Sequence, residues 1–463
     1  MKPVVVLIGR PNVGKSTLFN RLTRSRAALV ADIPGLTRDR QYGDGLVGDR
    51  SYFVVDTGGV TESLAGNSPR QELRGSVSAQ TRHALAEADS AILLVDAREG
   101  LQPGDRELAH ELRRLGKPLW LVVNKTEALD PDAAIADFHA LGLGQPFPIA
   151  AAHGEGVETL MEQVLADLPR VEVDEAPRAA PRIAVIGRPN VGKSSLVNAL
   201  LGEERVVVCD EPGTTRDAIH VPLERDGKRY VLIDTAGVRR RSKVEETQEK
   251  FSIIKTLQAV ADADVVILLV DANEGVTEQD SGLAGYALEQ GRAMVIAVNK
   301  WDLLDSGQRV WIEQQVTRKL AFLDFAHTFY ISALHRTGIG ALFPAVDRAY
   351  ISAWRELQTS KLNRVVEKAV QATPPPVRHG HRIRVKYAHQ GGKNPLRVIV
   401  HGNQVQALRD SYRRFLGNAV RSAFKLEGAP ILVECRDETN PFAGRRPKRA
   451  PRRATKARKK SRR

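Results

Sequence analysis

Short, continuous apolar runs alternate along this chain with longer stretches in which apolar residues recur every three or four positions. Val4–Ile8, Tyr52–Val55, Ala91–Val95 and Leu119–Val123 are runs of the kind that form strands buried on both faces. Lys15–Thr23 and Asp105–Leu115 carry helical spacing between them. Strands alternating with helices predict a doubly wound, mostly parallel α/β domain, whose ligands bind beyond the carboxyl ends of the strands. Even Val265–Val270, one of the longer apolar runs, is far short of the roughly 20 residues that cross a bilayer, so no membrane partner is expected.

The pattern occurs twice. Gly9, Arg10, Pro11, Asn12, Val13, Gly14, Lys15 and Ser16 return in the same order as Gly187, Arg188, Pro189, Asn190, Val191, Gly192, Lys193 and Ser194, 178 positions later. The same offset maps Thr37, Arg38 and Asp39 onto Thr215, Arg216 and Asp217, and Asp56-Thr57 onto Asp234-Thr235. An offset of 175 maps Val95, Asp96 and Ala97 onto Val270, Asp271 and Ala272, and Asn124-Lys125 onto Asn299-Lys300. Matches in one order at a nearly constant offset mean a duplicated domain. The expected boundaries are 1–168 and 182–353 for the two copies, with an acidic, proline-containing linker at 169–181. A third region, 354–444, has no earlier counterpart; strands near Arg382–Tyr387, Arg397–His401 and Ile431–Glu434, with a helix near Ser411–Ala423, give it a small α+β pattern.

The repeated eight residues follow an apolar strand and open a helix, the context of a phosphate-binding P-loop. Glycines let backbone N–H groups turn toward an anion and the helix N-terminus adds its dipole. Lys15 and Lys193 can reach the β- and γ-phosphates, while Ser16 and Ser194 can ligate Mg²⁺. Asp56, Thr57, Gly58 and Gly59, and Asp234, Thr235, Ala236 and Gly237, end later strands. There the Asp can hold the metal and the last Gly can donate its N–H to a γ-phosphate. Thr37 and Thr215 are candidates for a switch hydroxyl that completes the Mg²⁺ shell. The residues expected to act on the γ-phosphate are therefore Lys15, Thr37 and Gly59, and Lys193, Thr215 and Gly237.

Asn299, Lys300, Trp301 and Asp302 read the base: the Asp carboxylate accepts both N1–H and N2–H of guanine, a pair that adenine does not offer, so GTP and GDP are the expected ligands. In copy one the segment is Asn124, Lys125, Thr126 and Glu127, one methylene longer at the reading position. Ala150-Ala151-Ala152 and Ser332-Ala333-Leu334 would add a backbone N–H toward the guanine carbonyl. Val60 and Val238 stand where many GTPases have a water-orienting glutamine. Hydrolysis is then slow, or assisted by a K⁺ ion beside the phosphates at Asn12 and Asn190; the alternative for those two asparagines is a loop-stabilising hydrogen bond.

Tandem G-R-P-N-V-G-K-S loops, followed by Val385–Pro395, Ile399–Asn403 and Asn440–Gly444, resemble the family of bacterial double GTPases known as Der or EngA, within the TrmE-Era-EngA-YihA-Septin-like group. The resemblance covers residues 1–444 and implies two tandem P-loop GTPase domains and a KH-like third domain. It also implies a role in assembling the large (50S) ribosomal subunit, with that subunit and its rRNA as partners. Glu127 and the long basic tail depart from the family pattern.

Charge sharpens this. The 463 residues carry a formal +14. Residues 445–463 hold twelve Lys/Arg and no Asp/Glu, residues 361–444 hold 15 basic and 6 acidic residues, and the first 360 hold 42 basic and 49 acidic. An acidic body with a basic end points to a polyanion partner at that end. The tail has too little apolar content for a core and is expected to be disordered until it meets phosphate. The G-x-x-G clamp of KH modules is missing, so basic surface is the expected means of RNA binding, with Tyr387, Tyr412, Phe415 and Phe424 the few stacking candidates. Packing against the GTPase domains is the other role open to the third region. His379, His381, His389 and His401 lack ligand spacing and read as solvated or RNA-facing. Cys209 and Cys435 form no metal pair, and with no secretory leader the chain is expected to be a cytoplasmic monomer. Two other functions remain: an RNA scaffold that holds nucleotide without turnover, opposed by the intact lysines and serines, and a GTPase of tRNA modification, opposed by the lack of a suitably placed cysteine.

Overall fold

Five consecutive buried residues, Val4–Ile8, form β1 at the centre of a six-stranded sheet. The structure, a computed structural model, describes residues 2–23, 41–57, 79–114, 116–168, 180–202, 206–208, 220–233, 253–378 and 381–437. In copy one the strands are β1, β2 (Gln41–Val47), β3 (Arg50–Asp56), β4 (Ser90–Asp96), β5 (Leu119–Asn124) and β6 (Phe147–Pro148), in the order β2-β3-β1-β4-β5-β6. All neighbours are parallel except β2 and β3. The helices are α1 (Lys15–Thr23), α2 (Ala79–Glu87), α3 (Pro103–Arg114), α4 (Pro131–Ile135) and α5 (Val157–Ala166).

Copy two repeats the plan. Its strands are β7 (Arg182–Ile186), β8 (Val206–Val208), β9 (His220–Arg225), β10 (Lys228–Ile233), β11 (Val265–Asp271), β12 (Ala293–Asn299) and β13 (Thr328–Tyr330), ordered β13-β12-β11-β7-β10-β9-β8. β8, β9 and β10 are antiparallel to one another in turn, and the rest are parallel. Its helices are α6 (Lys193–Leu201), α7 (Ile253–Asp262), α8 (Glu278–Glu289), α9 (Ser306–Lys319) and α10 (Leu342–Ala353). β4, β11 and β12 are buried at every position, as strands covered on both faces must be.

The third region contains α11 (Thr359–Ala372), a short pair β14 (Val377–Arg378) and β15 (His381–Arg382), then β16 (Arg384–Gly392), β17 (Leu396–Asn403), α12 (Asp410–Phe424) and β18 (Ile431–Asp437). The sheet order is β16-β17-β18. The expected fold class is thus borne out in its α/β and α+β parts, while the tail lies outside the described residues.

Two compact units result. The first comprises Met1–Glu356 with Gly392–Leu396 and Lys425–Ile431; the second is the remainder. Within the first unit one apolar cluster runs through both copies, from Val4, Phe53 and Leu85 to Ile253, Leu257 and Tyr286. In the second, Asn363 of α11 clamps the backbone of Ala388 on β16, donating to its carbonyl at 3.0 Å and accepting its N–H at 2.7 Å. Tyr412 of α12 donates to the Thr373 carbonyl at the end of α11.

Candidate functional site

β1 lies between β3 and β4, and β7 between β10 and β11, so each is the point at which the sheet order reverses. A ligand crevice opens at the carboxyl end of such a strand. The chain leaves β1 at Gly9 (φ 155°) and enters α1 through Gly14 (φ 100°); Gly187 and Gly192 repeat these values at 155° and 98°. A Cβ on Gly14 would stand 2.3 Å from Nδ2 of Asn124, and one on Gly192 2.3 Å from Nδ2 of Asn299, so no side chain fits there. Asn12 and Asn190 also take left-handed backbone, φ 64° and 61°, which asparagine tolerates. Val13 and Val191 pin each loop to its core.

Two loops of the same shape therefore aim backbone N–H groups at the head of a helix. Lys15 is buried over its loop, its Nζ donating to the carbonyls of Gly9 at 2.9 Å and Arg10 at 2.7 Å. Lys193 donates to the Arg188 carbonyl at 2.6 Å. Ser16 Oγ donates to Oδ2 of Asp56 at 2.7 Å, and Asp56 ends β3 in register with Leu7. Thr57 Oγ1 fixes the exit from that strand by donating to the Leu7 carbonyl at 2.8 Å. A hydroxyl and a carboxylate side by side at the mouth of a phosphate loop are the hard oxygen donors Mg²⁺ takes together with phosphate oxygens, so these residues fit that ion.

The base side is built by β5 and β12. Asn124 donates from Nδ2 to the Val13 carbonyl at 2.8 Å and accepts the Ala151 N–H at 3.0 Å; Asn299 does the same with Val191 at 2.8 Å and Ala333 at 2.9 Å. Each asparagine is a strut between the P-loop and the next loop. The Ala151 and Ala333 amides are thereby engaged within the protein. Lys125 and Lys300 stretch across to the carbonyls of Asn12 at 2.8 Å and Asn190 at 3.0 Å, and each pairs at 2.5 Å with a buried aspartate, Asp96 or Asp271. Thr126 bonds the Ile149 carbonyl through its hydroxyl at 2.9 Å, whereas Trp301 packs against Tyr330 with ring centroids 4.2 Å apart and tilted by 34°.

The carboxylates at the matching places of the two copies, Glu127 and Asp302, have different partners. Glu127 Oε1 pairs with Arg98 at 2.7 Å. Asp302 lies 3.5 Å from His335, and a hydrogen bond from the Ser332 hydroxyl, with that histidine's charge, holds its carboxyl below the usual range. Position 98 is Arg in copy one, and Asn273 stands at the matching place in copy two.

Arg10 and Arg188 point away from the phosphate loop. Arg10 Nε donates to buried Asp105 at 2.8 Å and its Nη2 to Glu99 at 2.9 Å; Arg188 pairs with Asp280 at 3.1 Å and Glu274 at 2.6 Å. Burial opposes charge on both guanidiniums, but the carboxylates outweigh it and raise both pKa values. The same aspartates start helices: Asp105 accepts the Gln102 N–H at 3.1 Å, and Asp280 forms a capping box with Thr277. That cap is why α3 begins at Pro103, two residues before the start expected from periodicity.

Thr37, Gly58, Gly59, Val60, Thr215, Asp234, Thr235, Ala236, Gly237 and Val238 lie outside the described residues. The rest of the anticipated set, Gly9 to Ser16, Asp56, Thr57 and Asn124 to Glu127 with Gly187 to Ser194 and Asn299 to Asp302, gathers at the carboxyl ends of the two sheets. Residues 4–125 and 182–300 match the model of the 50S ribosome-binding GTPase family, and 356–436 that of the KH-domain-like C-terminal domain of EngA bacterial GTPase enzymes. GTPase Der of Thioalkalivibrio sulfidiphilus is 54% identical over 98% of this chain and 97% of its own. The chain belongs to the GTPase Der family. Another relative, GTPase Der of Burkholderia multivorans, is 53% identical over 96% of this chain and 99% of its own. Among solved structures, Aquifex aeolicus Era bound to GDP and AlF4⁻ is similar over 56% of this chain and 93% of that one, at 19% identity and a TM-score of 0.28. This Der-family chain is thus a GTP-binding, GTP-hydrolysing protein. Arg98, Asp105 and Asp280 went unnoticed in the sequence; the capping pattern Thr277-x-x-Asp280 was the one local signal that pointed at any of them.

Proposed function

We propose that this chain assembles the large ribosomal subunit as a cytoplasmic monomer, and that the nucleotides in its two sites control its binding to ribosomal RNA. The observation that carries this reading is the pair of like-built crevices on an acidic body joined to a basic end. Gly9–Ser16 and Gly187–Ser194 cradle the phosphates of GTP, with Lys15 and Lys193 neutralising developing charge. Glu127 and Asp302 select guanine. Ser16, Thr37 and Asp56, and Ser194, Thr215 and Asp234, hold Mg²⁺, which neutralises phosphate charge when bound. Gly59 and Gly237 donate N–H groups to the γ-phosphate. Val60 and Val238 have no polar group to orient water, so turnover is slow, and K⁺ beside Asn12 and Asn190 speeds it; equal turnover in K⁺ and Na⁺ removes that cation from the account. Cells depleted of this protein should accumulate incomplete large subunits while small subunits mature normally. Normal large subunits after depletion would overturn the assembly role.

A further inference from the structure

Successive side chains of a strand point to opposite faces of its sheet. Ala388 of β16 is fully buried on the side of α11, where Asn363 holds its backbone. Tyr387 and His389 flank it in sequence and so share the other face. His401 on β17 lies parallel to both: its ring centroid is 4.5 Å from that of Tyr387 at 7°, and 5.1 Å from that of His389 at 19°. Tyr387 and His389 are themselves 6.4 Å apart at 24°. Three rings therefore share nearly one plane direction on one sheet face. Arg397 of β17 and Arg436 of β18 flank them, each 3.5 Å from Glu434.

Packing alone does not account for this group. Offset parallel rings at these separations are a favoured packing arrangement, but a tyrosine placed for packing is buried. Tyr387 keeps 45% of its surface exposed. Parallel rings fixed by neighbouring strands offer a ready surface to a further flat ring, with little ordering left to do. Residues 361–437 carry 15 basic and 5 acidic residues, so whatever approaches this region meets a field that attracts phosphate. Flat rings on a phosphate backbone describe a nucleic acid. A duplex keeps its bases stacked inside, which leaves an unpaired strand.

We propose that Tyr387, His401 and His389 form a stacking platform for unpaired RNA bases on the sheet face of the second unit, with Arg397 and Arg436 reaching the adjoining phosphates. This rests on the ribosomal-RNA reading above and specifies how the third region would meet that RNA: by ring stacking tolerant of sequence, in place of the G-x-x-G clamp it lacks. The test uses the full-length chain and a short single-stranded RNA carrying 2-aminopurine, whose fluorescence is quenched when its ring stacks. Tyr387→Ala should weaken binding by about five- to 150-fold and abolish most of the quenching. It should leave the salt dependence of binding unchanged, because no cation is removed. Tyr387→Trp should restore both affinity and quenching, whereas Arg397→Ala should flatten the salt dependence. Quenching and affinity within twofold of the parent in Tyr387→Ala, or a loss that Tyr387→Trp shares, overturns the platform. Sedimentation with ribosomal subunits separates the two readings: a parent chain that binds no subunit fails the ribosomal reading, whatever the oligonucleotide does.

Discussion

Glu127 and Asp302 occupy matching places in the two crevices, yet their partners are of different kinds. Arg98 takes one oxygen of Glu127, while Asp302 is steadied by Ser332 and His335. Guanine entering site one competes with a cation that is more than half exposed, and exposed pairs are worth at most about 1 kcal/mol. Arg98→Asn, which installs the residue of copy two, should therefore tighten GDP at site one by about two- to fivefold. Fluorescent GDP titrated into a background with Lys193→Ala reads that site alone; unchanged or weaker binding contradicts the competition. In the proposed reading, the ionised carboxylate at site two accepts the guanine N–H groups and the protonated form does not. The Ser332 hydrogen bond lowers the Asp302 pKa, so guanine binding persists to lower pH than an unaided aspartate allows. Ser332→Ala should move the acid limb of GDP binding to higher pH, and an unmoved limb would remove Ser332 from the site. Both carboxylates were singled out by the N-K-x-D pattern. Arg98 was not, because it sits 29 residues from Glu127 and meets it only through the register of β4 with β5, which pairs Asp96 with Asn124.

The first turns of α3 and α8 hold fully buried aspartates that serve two ends at once, the helix N-terminus and the P-loop arginine. Removing such a group takes an acceptor from the backbone N–H at the helix start and leaves the guanidinium with its glutamate alone. Asp105→Ala should cost about 2–4 kcal/mol, combining loss of a cap with loss of a charged hydrogen bond. It should also loosen GTP at site one while leaving site two near its parent affinity. Thermal unfolding and site-resolved nucleotide titration check the two effects, and equal loss at both sites would contradict a local clamp. The strands and helices themselves were legible because buried parallel strands read as unbroken apolar runs and helices as three-to-four spacing. The clamp was hidden because its members, Arg10 and Asp105, are 95 positions apart and each looks locally like an ordinary surface charge.

The two copies pack as one unit around a buried polar network. Lys2 Nζ pairs with Asp44 at 2.6 Å, Gln290 donates to the other oxygen of Asp44 at 2.8 Å, and Gln258 donates to the Lys2 carbonyl at 3.2 Å. Asp44→Ala leaves the Lys2 ammonium buried, and breaking a buried pair from one side costs about 3–5 kcal/mol. A clear fall in Tm is expected, and an unchanged Tm would show that the network contributes nothing. Duplication and the division of charge could be read from the sequence, since both are linear properties of the chain. The joint packing of the copies could not, because Lys2 and Gln290 are 288 positions apart. An acidic pair of nucleotide domains and a basic end make one machine only if nucleotide alters what the basic end holds. Sedimenting the full-length chain with separated ribosomal subunits under GTP, GDP and a non-hydrolysable analogue measures this most directly. The account predicts retention on the large subunit that differs between nucleotide states; equal retention in all three, or none in any, contradicts it.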